Sequence, residues 1–160
     1  MVAPYQGVFK VTQIQSSQHD GLDLVGVSSK NIYSTIAGTV VRAGWENPSD
    51  HTQGFGQRVV IRKTGTTDYY YFGHLSSYSV SVNQSVTVGQ KIGVEGNTGH
   101  STGSHLHYCA RRDDDRNKPL WMPSISGIPN EVGTYDTQDP PDPENWSGIF
   151  LVTILGGKHE

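Results

Sequence analysis

The sequence predicts an all-β protein: a compact antiparallel β-sheet domain with long groove-forming loops and few or no helices. Glycine and tyrosine are abundant, at 19 and 8 of the 160 residues, and only 34% of the chain is hydrophobic. This composition is typical of a turn-rich β protein rather than a helical bundle. Apolar residues also keep no 3.6-residue period over a stretch of helical length, so the pattern indicates no long amphipathic helix.

Short runs rich in Val, Ile and Tyr alternate with glycine and asparagine along the first two thirds of the chain. Runs of this kind, bounded by turn residues, are typical of β-strands. The polar segment after Lys63 contains a glycine and separates two such runs, so we expect a hairpin tip at residues 66–68. The predicted strands span residues 9–14, 38–43, 58–63, 69–72, 80–88, 91–95 and 105–111.

The character of the chain changes after Arg112. Residues 113–147 contain six of the eight prolines and polar stretches such as DTQDPPDPEN, which predict a crossing loop and then a linker. The apolar IFLVTILGG at residues 149–157 is the candidate for a terminal strand. We therefore expect one folded domain over residues 1–125 and a Pro/Asp-rich tail or linker over residues 126–160.

Charge and apolar patterning argue against several classes of function. The net charge of −3 and the pI near 6.1 disfavour a nucleic-acid-binding protein, which usually presents a basic face. No apolar run approaches the roughly 18 residues that span a bilayer, so we expect no membrane insertion. Cys109 is the one cysteine, which excludes an internal disulfide.

Seven histidines are the unusual feature of the composition, because histidine is the commonest metal ligand and carries protons near neutral pH. His19 and Asp23 stand four residues apart in QHDGLDLVG. The intervening Asp20 and Gly21 disfavour a helix, so we expect a turn after Gln18, a short strand and converging side chains. Imidazole nitrogen and carboxylate oxygen both bind zinc. The alternative is an exposed loop histidine beside a turn aspartate.

Three further histidines lie in or beside predicted strands. His105 and His107, in SHLHY, face the same side of a strand because side chains alternate along it. His74 follows the aromatic run YYYF at a strand end, where rigid scaffolds present catalytic groups. Each has an ordinary alternative as a solvent-facing or structural residue. Two zinc donors and one more histidine would, however, leave a fourth position for water, as in catalytic zinc sites.

The order H-x3-D, a lone histidine at a strand end and then H-x-H resembles the lysostaphin/LytM-type zinc endopeptidases, a family of peptidoglycan-cleaving metallopeptidases. The resemblance covers roughly residues 8–111 and consists of five blocks in the family's order. HDGLDLVG resembles the first ligand motif, and IYSTIAGTVVRAGW resembles the hairpin after it. The other blocks are GFGQRVVIRK, YYYFGHLS and VGQKIGVEGNTGHSTGSHLHY.

This resemblance implies roles for five side chains. His19, Asp23 and His107 match the family's ligands for Zn²⁺, and His74 and His105 match its two catalytic histidines. In the implied mechanism a metal-bound water attacks the scissile carbonyl, while one histidine accepts its proton and passes it to the leaving amine. The other histidine steadies the oxyanion. The sequence leaves open which histidine has which role.

Cys109 departs from the family pattern, in which glutamate often follows H-x-H and an aromatic residue. Strand alternation places the thiol on the same face as His105 and His107, and a thiolate is itself a zinc ligand. We expect a small buried residue instead.

His51 and His100 lie in polar loops with no partner at ligand spacing, so we expect neither to bind the metal.

The function implied by the resemblance is that of a zinc metalloendopeptidase that hydrolyses peptide bonds of peptidoglycan, in cross-links or in stem peptides. Residues 1–125 are then the catalytic domain, the peptidoglycan peptide is the partner, and a monomer is the default state. We expect action at the bacterial cell wall. Since the N-terminal residues lack a secretory signal pattern, phage holin-type release or delivery by a virion fits the chain, while export by another route or excision from a longer protein stays open.

Two other classes of protein compete with this interpretation. A non-catalytic wall-binding or regulatory module of the same fold would be expected to have lost site residues, whereas all five are present. A biotinyl/lipoyl-type carrier domain would share the short strands and glycine turns of VGQKIGVEGNTG. Such a carrier needs a modifiable lysine at a hairpin tip, but Lys91 opens a predicted strand.

Overall fold

The computed structural model describes residues 1–138, which form a ten-stranded antiparallel sheet and one short helix. The helix, α1, spans Met122–Ser126. Within the described residues no helix is long and apolar enough to cross a membrane. The strands are β1 (Val8–Gln13), β2 (Gly21–Gly26), β3 (Asn31–Tyr33), β4 (Gly38–Trp45), β5 (Gln57–Lys63), β6 (Asp68–Tyr78), β7 (Ser85–Val86), β8 (Lys91–Glu95), β9 (Leu106–Arg112) and β10 (Gly133–Asp136).

The order of the strands places β9 in the middle of the sheet. The path runs β10-β1-β2-β9-β6-β5-β4-β7, and β8 pairs with β3 and β6 off this path. β9 therefore lies between β2 and β6, although both precede it by many residues. This crossover brings the N-terminal part of the chain, the middle of β6 and the residues after 104 together at one place.

The two faces of the sheet around β9 have different surroundings. Leu106 and Tyr108 enter the main hydrophobic core and are fully buried. Cys109 lies on the opposite face, in a smaller apolar cluster with Val60 and Tyr71. Burial of a large apolar side chain contributes about 1.5–3 kcal/mol, so the main core fixes the register of β9.

The all-β prediction is confirmed, and most predicted strands lie close to the observed ones. β8 has the predicted bounds, while β1, β4, β5 and β9 differ by one or two residues at an end. The hairpin between β5 and β6 is present, with the amide of Thr66 donating to the carbonyl of Lys63 over 3.2 Å. β6 is longer than predicted because it continues through an irregularity near His74.

The predicted strand over residues 80–88 is wrong. Only β7 is extended in this segment, because a turn interrupts the run of β-branched residues. Asn83 has a left-handed backbone with φ 72°, and the amide of Gln84 donates to the carbonyl of Ser81 over 3.1 Å. Asparagine tolerates this conformation better than most residues. Val82, next to the turn, is 50% exposed.

The segment predicted as a crossing loop and linker is partly regular. It contains α1 and then β10, which pairs with β1 at the edge of the sheet. The predicted domain boundary after residue 125 lies within α1, and the division into a domain and a tail stays a prediction. The candidate terminal strand at residues 149–157 lies outside the described residues.

Candidate metal centre and active site

The strand pair β2–β9 carries the candidate site. In its register Asp23 lies opposite His107, and Gly73 of β6 lies opposite the same histidine from the other side. His19 precedes β2 in a turn closed by paired backbone bonds with Ser16. The ring centroids of His19 and His107 are 4.8 Å apart. The short strand expected from the sequence is therefore present as β2, while the turn lies over residues 16–19 and ends, rather than begins, after Gln18.

Donor atoms of His19, Asp23 and His107 meet at one point. Nε2 of His19 lies 3.2 Å from Oδ1 of Asp23, and Nδ1 of His107 lies 2.8 Å from the same oxygen. One ligand atom from each residue lies within 4.8 Å of the other two. Tetrahedral zinc with ligands at about 2.1 Å separates its donors by roughly 3.4 Å. Small side-chain adjustments therefore suffice to enclose an ion.

The second nitrogen of each ring has its own acceptor, which orients the first nitrogen toward this point. Nδ1–H of His19 donates to the carbonyl of Ile14 over 2.9 Å, which leaves Nε2 as its ligand atom. Nε2 of His107 lies 3.0 Å from Oδ1 of Asp20, which leaves Nδ1 as its ligand atom. Metal-binding histidines usually have such outer partners. The residues present therefore fit a zinc ion.

The electrostatics of the cluster favour a bound cation. Burial opposes the charge of Asp23, but hydrogen bonds with His107 and His19 hold the pKa of its carboxyl well below the usual range. Burial also opposes a charged His107, yet the bonds to Asp20 and Asp23 raise its pKa. The bond to Asp23 raises the pKa of His19 in spite of burial. A carboxylate between two imidazoles attracts either a proton or a divalent metal ion.

His74 lies beside this cluster in an unusual backbone conformation. Its φ of 62° is left-handed, and its amide donates to the carbonyl of Phe55 over 2.7 Å. Its ring is fixed because Nδ1–H donates to the carbonyl of Thr98 over 2.6 Å. Burial, and then the neighbouring His105 and His107, lower its pKa to about 4 despite the bond to Thr98. His74 is therefore neutral at pH 7, with Nε2 unprotonated.

His105 completes the group of five. Its ring centroid lies 4.6 Å from that of His74, and its Nε2 lies 3.7 Å from Oδ2 of Asp23. Nδ1–H donates to the carbonyl of Gly103 over 2.7 Å, and the hydroxyl of Ser101 lies 3.2 Å away. Both His74 and His105 thus use Nδ1 for a backbone carbonyl and keep Nε2 for the groove.

Two cavities adjoin the cluster and together outline a groove. The larger has a volume of about 510 Å³ and the smaller about 240 Å³. Glu46 and Phe55 line both. Charged residues of both signs contribute to the larger cavity, whereas three histidines contribute to the smaller one beside Glu46 and Phe55. Further lining residues are His19, Asp20 and Arg111 in the larger cavity and His74, His100 and His107 in the smaller one.

The structure brings together all five side chains named from the sequence, while their roles as ligands and catalysts stay predictions. His51 lies apart from this cluster and stacks on Trp45, with ring centroids 3.6 Å apart. His100, expected to be a bystander, lines the smaller cavity. Cys109 is fully buried, as expected, although its thiol approaches His107 on the side away from Asp23.

Sequence reasoning missed three residues that surround the site: Asp20, Phe55 and Arg111. Arg111 carried a usable signal, since it stands four residues after His107 and alternation places both on one face of β9. No sequence pattern pointed to Phe55, because its position depends on a contact with Gly73, which is distant in sequence. A Cβ atom at Gly73 would lie 2.6 Å from the Phe55 ring, so glycine is needed for this contact.

The antiparallel sheet gathers two histidines and an aspartate at one point, with two further histidines beside them. The sequence matches the model of peptidase family M23 over residues 17–119, and the chain belongs to that family. The resemblance stated from the five sequence blocks is thereby confirmed.

Individual relatives agree with this assignment. Lysostaphin from Staphylococcus simulans is 33% identical over 95 residues, which cover 59% of this chain and 18% of that protein. The peptidoglycan DD-endopeptidase ShyA from Vibrio cholerae serotype O1 is 33% identical over 90 residues, 56% of this chain and 19% of that protein. The chain thus matches about a fifth of the length of these relatives. The solved structure of lysostaphin has a TM-score of 0.63 at 26% identity, over 78% of this chain and 50% of that one.

Proposed function

We propose that the chain is a zinc metalloendopeptidase that hydrolyses peptide bonds in bacterial cell-wall peptidoglycan. The observation that carries this proposal is the convergence of His19, Asp23 and His107, with the rings of His74 and His105 beside them. Five residues spread from 19 to 107 meet in a groove. His74 and His105 each bind a backbone carbonyl through Nδ1 and keep Nε2 for the groove, which a merely structural role would not require.

In this proposal His19 Nε2, an oxygen of Asp23 and His107 Nδ1 hold the ion. Zinc, when bound there, supplies Lewis acidity that polarises the scissile carbonyl and makes a water molecule more acidic. The chain's contribution is to fix three donors before the ion arrives. The carbonyl of Ile14 and the carboxylate of Asp20 do so by restraining the two rings.

In this proposal His74 and His105 transfer the proton and stabilise the negative charge that develops on the carbonyl oxygen. Each is anchored through Nδ1–H to a backbone carbonyl, so its Nε2 is the atom that meets substrate. An unprotonated Nε2 accepts a proton from water as the carbonyl is attacked, and the resulting imidazolium returns it to the leaving amine. A protonated Nε2 instead donates to the oxyanion.

Peptidoglycan as the substrate is supported by the names of the relatives. ShyA is a peptidoglycan DD-endopeptidase, and a further relative, ALE-1 of Staphylococcus capitis, is a glycyl-glycine endopeptidase with 32% identity over 95 residues. These two act on different peptide bonds, so the bond cut by this chain is left to experiment. Action at the cell wall follows from the proposed substrate, whereas a monomeric state and phage-type delivery stay predictions.

The test is zymography on purified cell walls, with mass spectrometry of the released peptides. We expect clearing that disappears with a chelator and returns when zinc is added. His19→Ala should clear no walls even with added zinc, while its circular dichroism stays that of a β protein. Persistent clearing in chelator would contradict the metal requirement, and zinc binding without clearing of any wall type would favour a binding module.

A further inference from the structure

We propose that Asp20 is a positioning residue for the metal centre: its carboxylate holds His107 so that Nδ1 of that ring faces the ion. This inference rests on the proposed zinc site. It concerns a side chain that lies outside the set of donors and touches the ring from behind.

The two oxygens of Asp20 have different partners. Oδ1 lies 3.0 Å from Nε2 of His107. Oδ2 accepts two hydrogen bonds from Arg111, over 2.7 Å from Nη2 and 3.1 Å from Nε. A relay therefore runs from the guanidinium through the carboxylate to the ring, and ends at the nitrogen that points to Asp23.

The guanidinium of Arg111 is itself held in place, so the position of the Asp20 carboxylate is fixed as well. Its guanidinium lies over the ring of Tyr71, 4.6 Å from the centroid, and 5.4 Å from the centroid of Phe55. Cation–π contacts of this kind contribute about 0.5–2 kcal/mol when partly shielded from water. Arg111 also belongs to β9, on the same face as His107, so the strand sets their spacing.

The close approach of β2 to β9 brings Asp20 to this position. Gly21, the next residue, pairs with Cys109. A Cβ atom at Gly21 would lie 2.5 Å from the carbonyl oxygen of Tyr108 and 2.7 Å from Cβ of Cys109. A larger residue would push the strands apart and move Asp20 away from the ring. Glycine at this position therefore serves the metal centre through its neighbour.

A second metal site at Asp20 is the competing interpretation. Donor atoms of Asp20, His107 and Cys109 also lie within 4.8 Å of one another. However, Oδ2 of Asp20 is already occupied by a guanidinium, whose positive charge repels a divalent ion. Nε2 of His107 faces Oδ1, and Cys109 is fully buried among apolar side chains. These contacts favour an outer partner of the first ion over a site for a second one.

The chemical consequence is a fixed tautomer. With Nε2–H donated to a carboxylate, the lone pair of the neutral ring is confined to Nδ1, the atom that faces Asp23. The negative charge behind the ring also makes that nitrogen a stronger donor. Loss of such outer partners typically weakens metal binding about 10–100-fold.

The experiment measures zinc affinity directly, by competition with a chromogenic chelator, in the full chain. We expect Asp20→Ala to weaken zinc binding about 10–100-fold. Asp20→Asn should fall between Asp20→Ala and wild type, because its amide oxygen still accepts the bond but carries no charge. The Asn variant also keeps the test decisive if the Ala variant fails to fold.

A matched control is available in a second aspartate–arginine pair, which joins β6 to β9. Asp68 accepts a hydrogen bond from Arg112 over 3.1 Å, on the face away from the histidines. Asp68→Ala should leave zinc affinity within about twofold of wild type. NMR of the zinc-loaded protein adds a spectroscopic test: the Nε2–H proton of His107 should be protected from exchange in wild type and exchange rapidly in Asp20→Ala.

The possible outcomes separate the inference from the proposed function. If wild type binds no zinc, the proposed metal centre fails together with the inference. If wild type binds zinc and both Asp20 variants bind it equally well, the inference is overturned while the proposed function stands. An equal loss in Asp68→Ala would also overturn it, because the effect would then be a general consequence of breaking an ion pair.

Discussion

Nδ1 of His107 lies 2.8 Å from Oδ1 of Asp23, across the pairing of β9 with β2. The two residues are 84 positions apart in sequence, yet they are direct partners in strand register. Each therefore depends on the sheet, rather than on a flexible loop, for its place at the centre. Sites on strands hold their geometry more accurately than sites on loops.

His107→Ala should abolish both zinc binding and wall cleavage. The substitution removes one of three donors and leaves the carboxylate of Asp23 facing Asp20 without the ring between them. Zinc content after gel filtration, measured by plasma mass spectrometry, should fall to background. Near-wild-type zinc content in a folded His107→Ala protein would show that the ion binds elsewhere.

His74→Ala should keep its zinc and lose most of its turnover. His74 contacts none of the donor atoms at bonding distance, but its Nε2 is available to substrate. General acid–base groups contribute about 10²–10⁴-fold to rate, so we expect a loss of that order. Wall clearing and zinc content should be measured on the same sample. Activity near that of wild type would remove His74 from the proposed mechanism.

Cys109→Ser should leave the ratio of zinc to protein unchanged. The thiol packs with Val60 and Tyr71, and the three donors are complete without it. A hydroxyl in this apolar cluster costs about 1–3 kcal/mol of stability unless it finds a partner. Urea unfolding should register that cost, while zinc content should not change. Loss of the metal from the folded variant would identify the thiol as a ligand.

Glu95 should make the fold sensitive to acid. Its side chain is fully buried, with hydrogen bonds from the Tyr5 hydroxyl, the Gly26 amide and the Ser104 hydroxyl, and an ion pair with Lys30. Burial alone would raise its pKa, but these partners hold the pKa below its ordinary value of 4.5. The folded state therefore binds the proton more weakly than the unfolded state.

The direction of this pKa shift determines the pH range in which Glu95 stabilises the fold. The stabilisation from Glu95 is complete above the unfolded-state pKa and is lost as pH falls through the lowered folded-state pKa. Glu95→Gln should cost about 1.5–3 kcal/mol at pH 7, the contribution of charged hydrogen bonds. Urea unfolding of both proteins from pH 7 to pH 3 should show the difference shrinking below about pH 4.5. A pH-independent difference would contradict this account.

The sequence predicted the fold class, and the five side chains that converge at one place, better than it predicted local detail. Alternation alone placed His105 and His107 on one face, and the turn before His19 followed from Asp20 and Gly21. The position of Phe55 depends on a contact with β6 that no local pattern encodes. β3 is too short to show a period, and its pairing with β8 gives it its conformation. The valines after residue 80 predicted a strand because composition does not reveal the turn at Asn83.

Alternate residues of β9 face opposite sides of the sheet and have different roles. Leu106, Tyr108 and Ala110 fill the main core, while His107 and Arg111 face the candidate metal centre on the other side of the sheet. A slip of one position along this strand would turn core residues into the groove and imidazole into the core. A single insertion or deletion there would thus destroy folding and chemistry together. We therefore expect β9 to tolerate conservative substitutions much better than insertions or deletions.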